Sequence, residues 1–124
     1  MSELNSTSFL IVDDVSSVRA LLQQTLSQLG AVDIMKASTG QEALDIFSAN
    51  LPDVVFLDIE LPDFNGQSLL KEMKSIKNNV SIIMVTAHGT VDNVKESIAL
   101  GASGFIVKPF SPRKIASVLK TVSK

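Results

Sequence analysis

The sequence predicts an α/β fold: a doubly wound, five-stranded parallel sheet with five helices, in a single domain. Three observations lead there. Short runs of Val, Ile, Leu, Phe and Met alternate five times with stretches whose apolar residues recur at helical spacing. Four of the five runs are near-continuous rather than alternating, as strands covered on both faces require. The 124 residues, 45% hydrophobic and 19% charged, suffice for one core and leave no room for a second domain of ordinary size.

The first strand is expected at residues 9–12. The helix after it carries Val15, Val18, Leu22, Leu26 and Leu29 at helical spacing, and Gly30 follows as a C-terminal glycine should. The second strand, 33–37, is the one without a continuous apolar run. Ala43, Leu44 and Phe47 mark the second helix, and residues 54–57 the third strand. Leu69, Leu70, Met73 and Ile76 mark the third helix, and residues 82–85 the fourth strand. Val91, Val94 and Ile98, followed by Gly101, mark the fourth helix, and residues 105–107 the fifth strand. The last helix carries Ile115, Val118, Leu119 and Val122, entered through Ser111 as N-cap with Pro112 at the first helical position. Every one of these stripes reads as core packing. Strand followed by helix, repeated, gives a parallel sheet with right-handed crossovers.

Composition excludes several classes. A net charge of −2 argues against a nucleic-acid partner. The absence of cysteine excludes a disulfide framework and thiolate metal sites, and fits a reducing, cytoplasmic setting. The first nine residues lack the basic start and long apolar core of a signal peptide, and the apolar runs fall far short of the ~20 residues a membrane span needs. Neither a GxxxxGK loop nor a GxGxxG fingerprint is present, so direct nucleotide binding has no support.

The chemistry lies at the strand ends. Open α/β sheets bind ligands outside the carboxyl ends of their strands, at a topological switch point. Asp13 and Asp14 follow the first strand, Asp58 the third, Thr86 the fourth and Lys108 the fifth. In the flavodoxin-like order 2-1-3-4-5 the first and third strands are neighbours, which puts Asp13, Asp14 and Asp58 in one crevice with Thr86 and Lys108 along its rim. Three clustered carboxylates need a counter-charge beyond one lysine, and a hard divalent cation such as Mg²⁺ supplies it. Carboxylate, metal, hydroxyl and ammonium together make a phosphoryl-transfer site, in which a carboxylate can itself become an aspartyl phosphate. Asp13 or Asp14 as a plain helix N-cap is the competing account.

The stretches "FLIVDD", "VVFLDIELPDFNG", "IIMVTA" and "GASGFIVKPF", in this order and spacing, resemble the receiver domain of two-component response regulators, most closely its single-domain, CheY-like members. The resemblance implies that Asp58 is the phospho-acceptor. It implies that Asp14, Asp58 and the backbone carbonyl of Glu60 ligate Mg²⁺, with Asp13 acting through a metal-bound water. Lys108 would pair with the phosphoryl oxygens and Thr86 would hydrogen-bond the attached group. Phe105 would change rotamer with Thr86, and Lys108-Pro109 would be a cis peptide. Glu60 and His88 would influence how fast the phosphate hydrolyses. The implied donor is a histidine kinase or a phosphotransfer protein. The implied output is a change in protein binding at the face of the fourth helix, fifth strand and fifth helix, including Asn93, Lys95, Glu96, Phe105, Arg113, Lys114, Ser117 and Lys120, in chemotaxis-type signalling or a phosphorelay. Residues 1–124 are expected to be the receiver domain alone, a monomer without an output domain and without metabolic enzyme activity. A Mg²⁺-dependent phosphohydrolase on a similar sheet is the alternative, and it would carry its nucleophile after the first strand rather than the third.

Overall fold

The computed structural model describes residues 2–122. A short 3-10 turn, Ser2–Ser6, precedes the sheet. Strand and helix then alternate as β1 (Ser8–Val12), α1 (Ser16–Gln28), β2 (Asp33–Ala37), α2 (Gly40–Asn50), β3 (Val54–Leu57), α3 (Gly66–Ile76), β4 (Ser81–Thr86), α4 (Val91–Ala99), β5 (Gly104–Val107) and α5 (Pro112–Val122). The strands pair in parallel in the order β2-β1-β3-β4-β5. This is the predicted α/β sheet.

Position in the sheet explains the pattern of the runs. In the three central strands only Ser8 and Ser81, which open β1 and β4, are not buried. Such strands must be apolar on both faces. β2 is an edge and leaves Asp33 and Lys36 exposed, so its sequence is mixed. Successive side chains of a strand point to opposite faces, and each face has its own core. Phe9, Ile11, Phe56, Ile83 and Val85 meet Leu22 and Leu26 of α1 and Ile115, Val118 and Leu119 of α5. Leu10, Val12, Val55, Leu57, Ile82 and Met84 meet Ala43 and Phe47 of α2 and Leu69, Leu70 and Met73 of α3.

The fourth stripe is not core. Val91 and Ile98 are 68% and 58% exposed, and the buried residue of α4 is Ser97. The reason lies on α3, where Gln67 Nε2 donates to Ser97 Oγ at 3.2 Å and to the Asn93 carbonyl at 3.3 Å. The inner side of α4 is therefore polar at Ser97, and Val91 and Ile98 turn outward while Val94 is half-buried. Two stripe ends elsewhere, Val15 and Ile76, are also exposed.

Helix ends follow the chemistry of their residues. Thr39, Asn65 and Thr90 each accept a hydrogen bond from a backbone N–H of the helix they open. Ser111 Oγ accepts from Lys114 N–H at 3.3 Å, as expected. Gly30 and Gly101 have φ of 111° and 107°, the left-handed conformation that ends a helix at low cost only for glycine. The N-cap of α1 is Val15, so neither Asp13 nor Asp14 fills that role. Among the described residues no helix is long and apolar enough to cross a membrane.

Candidate functional site

β1 and β3 end side by side, with Val12 in register with Leu57. The ladders run one step further: Asp58 N–H donates to the Val12 carbonyl at 3.0 Å and Asp13 N–H to the Ala37 carbonyl at 3.1 Å. The residues that follow the two strands are thereby brought together. One carboxylate oxygen from each of Asp13, Asp14 and Asp58 lies within 4.8 Å of the others. Asp13 and Asp58 are buried, at 1% and 5% exposure, while Asp14 is exposed.

Lys108 lies deeper than the rim position the strand order predicts. Its Nζ stands 2.8 Å from Asp13 Oδ2 and 3.1 Å from Asp58 Oδ2, between the two buried carboxylates. The Asp58 contact is a hydrogen bond. At Asp13 the Lys108 ammonium is the one partner that the described residues offer to this buried oxygen. The other oxygens are served by the backbone: Glu60 N–H donates to Asp58 Oδ1 at 3.1 Å, and Val15 N–H to Asp13 Oδ1 at 2.9 Å. Lys108 N–H donates to the Thr86 carbonyl at 2.8 Å, and the Lys108-Pro109 peptide is cis.

The charges are unbalanced. Burial pushes the Asp58 carboxyl above the usual carboxylate range, against the pull of the Glu60 N–H and Lys108, and the Asp13 charge adds to the rise. Burial works against the charge of Lys108, but its contacts with Asp13 and Asp58 outweigh that and hold it above the ordinary lysine value. Three carboxylates facing one ammonium make an all-oxygen set that fits a hard divalent cation.

The loop after β3 is tightly closed. Glu60 bridges to Asn65, and Gly66 N–H donates to the Ile59 carbonyl at 2.5 Å. A Cβ at position 66 would run into the Asp58 carbonyl oxygen, so only glycine permits this approach. Asp63 pins the loop to α2, its Oδ1 and Oδ2 accepting from Gly40 and Gln41 N–H at 2.8 and 3.0 Å. Those bonds, Gly40's foremost, hold its carboxyl below the usual range. Asp63 was not expected in this role, since the helix it caps lies more than twenty residues back and leaves no local signal. Arg19 was also missed: its Nη1 donates to the Asp13 carbonyl at 2.5 Å.

The remaining predicted residues surround this centre. Thr86 is buried, and its Oγ1 accepts from His88 N–H at 3.1 Å. Glu60 Oε1 and His88 Nδ1 meet at 2.9 Å, with both side chains more than half exposed. The strand register pairs Phe105 with Met84, and Val107 with Thr86. Phe105 therefore stands one pair back from Thr86 on the same face rather than beside it, and is half-buried. On the face expected to bind partners, Lys95, Glu96, Arg113, Lys114, Ser117 and Lys120 are exposed, and Asn93 is half-buried.

Residues 9–120 match the family model described as the response regulator receiver domain. The chain is 38% identical over 115 residues to the chemotaxis protein CheY of Thermotoga maritima, covering 93% of this chain and 96% of that protein. It is 41% identical over 113 residues to the probable transcriptional regulator ycf27 of Guillardia theta; that match covers 91% of this chain, which spans only 44% of the relative's length. A solved CheX-CheY-BeF3-Mg complex from Borrelia burgdorferi superposes with a TM-score of 0.90 at 31% identity, covering 94% of this chain and 88% of that one. The agreement extends over fold and sequence together, and the chain belongs to the family of response regulator receiver domains, which are signalling domains rather than metabolic enzymes.

Proposed function

We propose that this chain is a phosphorylatable switch: with Mg²⁺ present, Asp58 takes a phosphoryl group from the phosphohistidine of a histidine kinase or phosphotransfer protein, and the α4–β5–α5 face then changes its protein partner. One observation carries the reading. The Asp58 carboxylate is buried, yet it is held between the Glu60 N–H and Lys108 Nζ beside two further carboxylates. A structural aspartate would be neutralised by its partners; this one is left in surplus charge.

Asp14, Asp58 and the Glu60 carbonyl would hold the Mg²⁺, with Asp13 acting through a water bound to it. When bound, the ion neutralises charge that builds up on the phosphoryl oxygens. An Asp58 oxygen attacks phosphorus, the new O–P bond forming as the N–P bond of phosphohistidine breaks, and the imidazole takes up a proton as it leaves. Lys108, fixed between Asp13 and Asp58, offers its ammonium to a phosphoryl oxygen. The Thr86 hydroxyl donates to another. Movement at Thr86 frees space on the β4–β5 face that the Phe105 ring can take. Glu60 and His88 stand beside the acceptor and set how readily water reaches it. Both chemotaxis-type signalling and a phosphorelay fit this switch, and CheY of Thermotoga maritima is a relative of the first kind. The cytoplasm is the setting that suits a kinase-fed switch of this kind.

The test is uptake of phosphate from acetyl phosphate, followed by intact mass. One phosphoryl group is expected with Mg²⁺ and none after chelation by EDTA. Equal uptake in both conditions contradicts the metal-assisted reading.

A further inference from the structure

Helix α4 is seated on polar contacts. Its large apolar residues Val91 and Ile98 face solvent. Gln67 of α3, only 7% exposed, donates from Nε2 to the Asn93 carbonyl and to the fully buried Ser97 hydroxyl. Hydrophobic contact is non-directional and tolerates sliding. A buried hydrogen-bonded set does not, because any intermediate position leaves a polar group without a partner.

The same helix is tied to the loop that leaves the site. Asn93 Nδ2 donates to the His88 carbonyl at 2.7 Å. His88 N–H donates to Thr86 Oγ1 at 3.1 Å. The two bonds leave from opposite sides of one residue, so turning either peptide of His88 disturbs the other. Gly89, next in the loop, rests against the Val107 side chain with no room for a Cβ.

We propose that Asn93 is a positioning residue that straps the loop after Thr86 to the buried Gln67–Ser97 pair, so that a change at the Thr86 hydroxyl is passed to α4. The proposal rests on the reading of Asp58 as the phosphorylated residue. In the absence of phosphate the Thr86 oxygen holds the His88 N–H. Once the Thr86 side chain carries its Oγ1 toward a phosphoryl oxygen, the His88 N–H loses this acceptor, the His88 residue reorients, and its carbonyl carries Asn93 with it. Asn93 lies in the first turn of α4, four residues before Ser97, so the displacement enters the helix at its seat on Gln67.

Amide NMR with Mg²⁺ and beryllofluoride tests this in wild type and Asn93→Asp. The substitution keeps size and suits a helix N-terminus, but removes the Nδ2 donor. Both proteins should show shift changes at Glu60 and Lys108. Changes at Ser97 and Leu100 should appear in wild type and be lost in Asn93→Asp. A wild-type response at Ser97 and Leu100 in the variant overturns the strap. A wild type that does not respond at Glu60 and Lys108 overturns the Asp58 reading, and the strap with it. If strand amides show that Asn93→Asp is unfolded, Gln67→Leu decides by the same criterion, since it breaks the other end of the strap with little change in volume.

Discussion

Asp58 and Asp14 differ in burial, and the difference sets opposite expectations for their loss. Burial raises the Asp58 carboxyl above its ordinary value. The folded protein therefore holds that proton more tightly than the unfolded chain, and stability falls as pH climbs from the ordinary carboxylate value through the raised one. Asp58→Asn removes this penalty and leaves Lys108 paired with Asp13. In EDTA the variant should melt higher than wild type at neutral pH, with the advantage vanishing below about pH 4, where the wild-type carboxyl is protonated in both states. A variant that melts lower at neutral pH contradicts the account of the site's charge. Asp14 is exposed and is not the N-cap of α1. Its replacement by alanine should leave the melting of the metal-free protein within about 0.5 kcal/mol of wild type. The same variant should lose the rise in Tm that Mg²⁺ gives to a folded state that binds it. A large loss of stability without metal would instead mean that Asp14 supports the helix.

The helices separate what periodicity can show from what it cannot. In α2, α3 and α5 the stripes became core because a sheet face lies beneath them. In α4 the same spacing was present but the surface beneath was Gln67, and Val91 and Ile98 of the stripe face solvent. Spacing reports that apolar residues share a side of a helix, not which side the rest of the molecule covers. Urea unfolding checks the distinction: Ile98→Ser should change stability by no more than about 0.5 kcal/mol. Leu70→Ala, in a fully buried position of α3, should cost about 2–5 kcal/mol. A cost at Ile98 comparable to that at Leu70 would mean that α4 seats on its apolar side. The caps at Ser111 and Gly30 were legible because a cap is local chemistry. The Asp63 clamp on α2 was not, because its two partners meet only after the sheet has formed.

Across the molecule, strand order brings the site together. Asp13 and Asp58 are far apart in sequence, and only the neighbouring of β1 and β3 joins them. That much was readable, since continuous apolar runs imply a parallel sheet and polar residues directly after them mark its functional edge. The depth of Lys108 between the carboxylates, and the register that sets Phe105 back from Thr86, depend on packing detail that no run of residues encodes locally. The central claim is that this edge directs a phosphoryl group to one carboxylate among three. Borohydride trapping after treatment with acetyl phosphate and Mg²⁺ tests it most directly, because an aspartyl phosphate is reduced to homoserine and peptide mapping locates the change. Homoserine at position 58 alone, and none in Asp58→Asn, is the predicted result; homoserine at position 13 or 14, or an unchanged chain, would contradict it.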